Sequence, residues 1–348
     1  MDNLQNGLLE KSVIHKVKNG TVLEITEDGI TAESVRRIYK LLWKIGRSKQ
    51  QPFSILFRGK KIIHNTCGDE LLEVIRRLKD IPPLHLKDRV LHPLIMAFQT
   101  SLQKHDFTSR IYNGKLIPTD LKCTASMLNN LADEYRSALH SDTYKQHLGK
   151  YQRASRKNLT GATAYVNHLY SRYARLLVVR LDVSWAKQYA KDITAEMAKE
   201  NRQQLFRNMK RKALFRHVLG VMWKLEYGVE KGFHYHMIFF LDGNKARSGV
   251  TIGRQFGEYW KNIITENKGV FFNCNADVTR YEQPGIGMVK HNDESMREGL
   301  MKAVTYLTKV DAYARLSLSG NVRTFGRGEI KSFKIRGRKR KNNQDQEG

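Results

Sequence analysis

Gly232-Phe233-His234-Tyr235-His236-Met237-Ile238-Phe239-Phe240-Leu241 is an apolar run that carries two histidines one residue apart. Alternate side chains of a β-strand point to the same face, so a strand here sends both imidazoles one way from a segment otherwise apolar enough to be buried. Upstream, Val218-Leu219-Gly220-Val221-Met222-Trp223-Lys224-Leu225-Glu226 reads as a second strand, and Tyr227 to Phe233, with Gly228 and Gly232, as the hairpin connection. If Tyr227 faces Phe233 across the turn, Glu226 faces His234 on the side of His236, about 5 Å apart at Cβ. Two imidazoles and one carboxylate then surround a single point. Such a mixed nitrogen and oxygen set suits Mg2+ or Mn2+ and leaves positions for water or substrate oxygens. A slip of one residue would turn Glu226 away. The pair also fits two histidines satisfied by neighbours in a core or at an edge, so residues elsewhere must decide.

Outward from the hairpin, Leu176-Leu177-Val178-Val179-Arg180-Leu181-Asp182-Val183 is a further strand, and a helical stretch rich in Lys and Arg is expected over residues 186–216. A helix over residues 251–264 and a strand over residues 269–275 follow. This pattern predicts an α+β fold for residues 161–330, a central antiparallel sheet with flanking helices. Residues 1–160 read as a mixed, mainly helical N-terminal domain with a possible role in DNA recognition. It starts with a hairpin around Asn19-Gly20, and Thr31 opens an amphipathic helix with Val35, Ile38, Leu41, Leu42 and Ile45 inward. Helical patterns run from Asp69 to Leu148, with Leu71, Leu72, Ile75, Leu128, Leu131 and Tyr135 among their apolar positions. Lys150, Arg153, Arg156, Lys157 and Gly161 suggest a basic connection into the second domain. Residues 331–348 form a basic flexible tail, either solubilising or phosphate-binding.

The chain has 348 residues with 41% hydrophobic content, enough for a real core, and 61 Lys and Arg against 34 Asp and Glu give a net charge of +27. Such an excess implies a polyanionic partner, nucleic acid first. No run approaches the roughly 20 apolar residues of a membrane span. The start, Met1-Asp2-Asn3-Leu4-Gln5-Asn6, lacks the features of a secretion signal, and Cys67, Cys123 and Cys274 stand in no paired spacing. The expected compartment is the reducing cytoplasm of a bacterial host cell.

The segment 292–311 bears on the histidines. Ser295 and Glu298 have capping-box spacing, and Leu300, Ala303, Val304, Leu307 and Val310 form one apolar stripe. Lys302, Tyr306 and Lys309 cluster away from it on a helical wheel. Nearby positive charge favours phenolate over phenol and makes the oxygen a better nucleophile. The alternative is a surface tyrosine beside solvated lysines.

Taken together, the strand before the hairpin, His234-Tyr235-His236, and Tyr306-Leu307-Thr308-Lys309 resemble, in order, the three motifs of the HUH endonuclease superfamily, which includes rolling-circle replication initiators and relaxases. Arg180-Leu181-Asp182, His234-Tyr235-His236 and Arg323-Thr324-Phe325-Gly326-Arg327 resemble the inovirus-type replication protein family, also known as the YagK/YfjJ C-terminal domain family, over residues 160–330. The resemblance implies a cation held by His234 and His236 with Glu226 as third ligand, and Tyr306 as nucleophile forming a 5′-phosphotyrosine link. Lys309 would be its electrostatic partner. Tyr235 replaces the usual aliphatic residue between the histidines, and a single tyrosine occupies the helical motif, so a one-tyrosine cycle is expected. The substrate would be single-stranded or locally melted DNA, contacted by Arg180, Lys302, Arg323 and Arg327 and by Lys339 and Arg340 of the tail. Tyr259, Trp260 and Tyr281 are candidates for base stacking or for core packing. No Gly-x-x-x-x-Gly-Lys-Ser/Thr loop occurs, so unwinding would fall to a host helicase. The competing reading is a DNA-binding regulator of a mobile element that does not cut.

Overall fold

In the computed structural model, residues 12–17, 20–25, 27–56, 61–81, 89–107, 111–112, 115–116, 120–228, 231–278, 285–308, 314–316, 318 and 323–330 are described. The hairpin expected around Asn19-Gly20 forms from β1 (Ser12–Val17) and β2 (Gly20–Ile25), paired antiparallel with Val17 opposite Gly20. The following helix α1 (Glu27–Arg47) begins ahead of Thr31, and all five of its expected inward residues, Val35, Ile38, Leu41, Leu42 and Ile45, are buried. A hairpin of β3 (Phe53–Leu56) and β4 (Lys61–His64) leads to α2 (Thr66–Asp80), whose first turn is capped by the Asn65 side chain accepting from Gly68 N–H. Then come β5 (Arg89–Leu91), α3 (Pro93–Leu102), the short pair β6 (Ile111–Tyr112) and β7 (Lys115–Leu116), and α4 (Leu121–His140). Leu71, Ile75, Phe98, Leu128, Leu131 and Tyr135 meet in one core between these helices.

Residues 150–165, expected to be a connection, lie instead within the 31-residue helix α5 (Asp142–Arg172). Tyr144 at its start packs on the N-terminal core, whereas Ala162, Tyr165, Val166 and Leu169 pack on the sheet of the C-terminal half. The expected boundary at residue 160 therefore falls inside a helix shared by two cores. Its Lys and Arg residues 150, 153, 156 and 157 are the exposed face of that helix rather than a linker.

The C-terminal half runs β8 (Arg175–Trp185), α6 (Lys187–Ala190), α7 (Ala195–Met209), β9 (Val218–Gly228), β10 (Gly232–Asp242), α8 (Gly249–Tyr259), β11 (Gly269–Asn273), β12 (Gly287–Lys290), α9 (Glu294–Thr308), β13 (Ala314–Leu316) and β14 (Phe325–Arg327). The helical stretch expected over residues 186–216 is thus two α-helices with a turn between them, followed by a short 3-10 helix at Ala213–Phe215. The strands form an antiparallel sheet in the order β11-β8-β10-β9-β14, with β12 paired to the opposite end of β8. Where β11 has left β8 and β12 has not yet joined, the Asn275 side chain accepts from Arg180 N–H and donates to Val178 C=O, satisfying the exposed strand edge. No described helix is long and apolar enough to cross a membrane.

The period-2 alternation of these strands divides the core. Leu177, Val179, Leu181 and Val183 with Tyr235, Met237 and Phe239 pack on one face against Ala198 and Leu205 of α7 and Phe256 of α8. Leu176, Val178, Met222, Ile238 and Phe240 on the other face pack under Tyr165 and Leu169 of α5 and Leu300, Val304 and Leu307 of α9. Helix α9 sits so close that a Cβ on Gly285 would strike the backbone of Gly299 and Leu300. Its start is capped by Asp293, whose carboxylate accepts from Met296 N–H at 3.1 Å, and not by the Ser295 and Glu298 box expected from spacing.

Candidate metal centre

The face covered by α5 and α9 changes character along the strands. Past Ile238 and Val178 the side chains pointing to it are Arg180, Asp182 and Ser184 on β8, Lys224 and Glu226 on β9, and His236 and His234 on β10. Register places them in two transverse rows. Phe272, Asp182, His236, Lys224 and Phe325 oppose one another in turn across five strands, and Val270, Ser184, His234 and Glu226 do so in the next row. The pairings expected for the hairpin, Tyr227 with Phe233 and Glu226 with His234, are both present.

Glu226, His234 and His236 bring one ligand atom each within 4.8 Å of one another. Glu226 Oε2 lies 3.4 Å from His234 Nε2 and 3.6 Å from His236 Nε2, and the two imidazole rings stand at 90° with centroids 5.1 Å apart. Donors about 2.1 Å from one octahedral ion stand about 3 Å apart when adjacent. The two spacings to Glu226 are close to that, so the three residues form a group that could hold a divalent cation.

Two charged neighbours hold this set. Asp182 Oδ1 lies 2.8 Å from His236 Nδ1, and Lys224 Nζ pairs with Glu226 Oε1. Arg180 in turn reaches Asp182 Oδ1 at 3.5 Å. Burial would raise the Glu226 carboxyl, but the Lys224 ammonium and the hydrogen bonds of His234 and His236 hold it well below the usual carboxylate range. Burial also works against the charged form of Asp182, and the charges of His236 and Arg180 overcome it and depress its pKa. His236 shows the complementary effect. Burial alone would lower it, yet Asp182 and Glu226 push it up to about 10. Without a metal, the His236 imidazolium, the Lys224 ammonium and the Arg180 guanidinium surround the carboxylates of Asp182 and Glu226.

Tyr306 comes to this group from α9. It follows Ala303 on the flank of the apolar stripe and is half-buried against the sheet core. Its ring centroid is 5.9 Å from that of His236, with the Lys224 ammonium at 5.3 Å and the Arg180 guanidinium at 5.5 Å. Lys224 of β9 and Arg180 of β8 thus bring positive charge to this tyrosine from strands that the sequence had not linked to it.

The remaining expected residues scatter. Arg180 is only 4% exposed and lies inside the site, so it is a structural cation beneath Tyr306 and no part of an open DNA-binding surface. Lys302 and Arg323 are exposed, and Arg327 donates to Gly328 C=O while lying over the Tyr165 ring. Lys309, Lys339, Arg340 and Tyr281 lie outside the described residues. Trp260 is fully buried, edge-on to Trp185, and so belongs to the core and not to a stacking surface. Tyr259 accepts from the Asn208 side chain and packs on Phe215, a structural setting as well.

Sequence reasoning missed Asp182 and Lys224 as members of the site. The signal was present: Arg180, Asp182 and Ser184 interrupt β8 at period 2, and Lys224 and Glu226 do the same on β9. An ionisable residue that repeats at strand spacing in a buried run points at a shared polar site.

No curated protein and no solved structure matches this chain. The family comparison matches residues 137–328, from the end of α4 through β14, and so takes in α5, the whole sheet and α9. That match covers more than half of the chain, which belongs to the YagK/YfjJ C-terminal domain family.

Proposed function

We propose that this protein nicks and rejoins single-stranded DNA as an HUH-type endonuclease and so initiates rolling-circle replication of a phage or prophage element in the bacterial cytoplasm. The observation that carries the reading is the position of Tyr306, 5.9 Å ring to ring from His236 at the mouth of a cluster fitted for a cation. A surface tyrosine needs no such placement.

In this reading Tyr306 Oη attacks a DNA phosphate in line. A bond forms between the phenolic oxygen and phosphorus, the bond to the 3′ oxygen breaks, and the 3′-hydroxyl leaves with a proton equivalent to the one the phenol gives up. The Lys224 and Arg180 cations beside the Tyr306 ring offset negative charge on its oxygen as it attacks, and Lys309 is assigned the same role by the sequence resemblance. Glu226, His234 and His236 would hold Mg2+ or Mn2+, which when bound polarises the phosphate and offsets charge on its oxygens. Asp182 keeps the His236 ring oriented. The phosphotyrosine ester conserves the energy of the broken bond, so a 3′-hydroxyl can reseal the strand without nucleotide hydrolysis, and a host helicase supplies unwinding.

The test is incubation with Mn2+ and single-stranded origin DNA of the element. A covalent protein–DNA adduct resolved on a denaturing gel is expected from the wild type and absent from Tyr306→Phe. An undiminished adduct in that variant removes Tyr306 from the mechanism, and no adduct from either leaves a DNA-binding regulator.

A further inference from the structure

The transverse row through the site ends in an aromatic residue the reaction does not use. Phe272 on β11 lies opposite Asp182, which lies opposite His236. Val270 occupies the same place in the neighbouring row, opposite Ser184. Both point to the sheet face that carries the candidate metal ligands, and both are 42% exposed. Their neighbour Phe271 points the other way and packs into the core beneath. Alternation in β11 therefore buries one phenylalanine and leaves its neighbour on the surface beside a charged site.

With strands about 4.8 Å apart, Phe272 stands two strands from His236, about 10 Å away. That is a short step along an extended nucleic acid strand. Among the described residues β11 is the outermost strand on that side of the sheet, while the opposite end of the row, at Phe325, packs against the core of α5 and α9. A nucleic acid strand whose phosphate lies at Tyr306 and His236 and that runs on toward the β11 edge passes over Phe272. An apolar ring at that point gains nothing from phosphate, whereas the face of an unpaired base stacks on it. The charge of +27 selects nucleic acid over an acidic or neutral partner for this surface.

We infer that Phe272, supported by Val270, is the stacking platform for a base next to the reacting phosphate, and so sets where along a single strand the site engages. The inference rests on the nicking proposal for its substrate but not on the covalent step. The platform accepts any base, because every base presents a π-face, and it works only on strands whose bases are unpaired.

The experiment measures metal-free binding of a fluorescein-labelled twelve-residue oligothymidylate, and of a twelve-residue abasic deoxyribose phosphate strand, by anisotropy with the full chain. Phe272→Ala is expected to weaken oligothymidylate binding about tenfold and to leave the abasic strand unchanged. Phe272→Trp is expected to bind as well as wild type or better. Phe272→Leu, which keeps apolar bulk at an exposed position, is expected to weaken binding as the alanine variant does. Equal oligothymidylate affinity for wild type and Phe272→Ala overturns the platform while leaving the nicking proposal intact. A parallel loss on both probes also overturns it, since the effect would then be structural. If the wild type binds neither probe, both the platform and the nicking proposal fail.

Discussion

Asp182 Oδ1 lies 2.8 Å from His236 Nδ1, directly across the β8–β10 ladder. An imidazole whose Nδ1 lies against a carboxylate is held with Nε2 turned the other way, and that nitrogen becomes a metal ligand once it gives up its proton. In this chain Nε2 of His236 faces Glu226 Oε2 at 3.6 Å, so the ligand set is assembled by a residue that is not itself a ligand. The same carboxylate reaches Arg180 on its own strand, which ties the orientation of the metal pair to a cation under Tyr306.

Removing that carboxylate should loosen the centre without removing a ligand. Asp182→Ala is expected to weaken Mn2+ binding about 10- to 100-fold in titration calorimetry. Asp182→Asn, whose amide oxygen still accepts from Nδ1–H, should lose less. Wild-type affinity in the alanine variant would show that the His236 ring is held by packing alone.

Much of this arrangement was legible from residue order. The register of the hairpin followed from Gly228, Gly232 and strict alternation, and with it the facing of Glu226 and His234. The stripe of α9 gave its buried side correctly at Leu300, Val304 and Leu307. What the sequence hid was every relationship between strands far apart in the chain. Nothing in Asp182 or Phe272 alone announces that β8 inserts between β10 and β11, because local patterning fixes which face a residue occupies but not its neighbours across the sheet. Arg180 was misplaced for the same reason: an arginine in an apolar strand reads as a surface contact until a carboxylate two residues away accounts for it. The helix through residues 150–165 was hidden by its exposed basic face, which resembles a linker in composition but repeats at helical spacing.

Lys224 should prove to substitute for the metal. Its ammonium neutralises Glu226 Oε1 in a position only 8% exposed. Lys224→Met keeps most of the alkyl bulk and leaves Glu226 with one charge fewer beside it, which costs roughly 3 kcal/mol for a broken buried pair. The unfolding midpoint followed by circular dichroism is expected to fall in metal-free buffer, and added Mn2+ should raise it more in the variant than in wild type. If Mn2+ shifts both proteins equally, the ammonium and the cation do not act on the same carboxylate.

His92 provides a pH response remote from the metal centre. It caps α3, with Nδ1 accepting from Leu94 N–H at 3.1 Å, and its ring lies edge-on to Tyr39 of α1 and Tyr151 of α5 at 4.8 and 5.1 Å. Burial lowers its pKa to about 4 from the ordinary 6.5. The unfolded chain then binds a proton below pH 6.5 that the folded protein excludes until about pH 4, so this residue leaves stability unchanged above pH 6.5 and reduces it as pH falls through that window. The loss amounts to about 2 kcal/mol by pH 5 and about 3 kcal/mol by pH 4. His92→Asn retains a side-chain oxygen able to accept from Leu94 N–H but has nothing to titrate. Urea unfolding at pH 7 and pH 5 should therefore show a smaller drop in the variant than in wild type, by about 2 kcal/mol. Parallel drops in the two proteins would mean that the junction of α1, α3 and α5 admits the imidazolium, and that its aromatic packing is looser than the ring geometry shows.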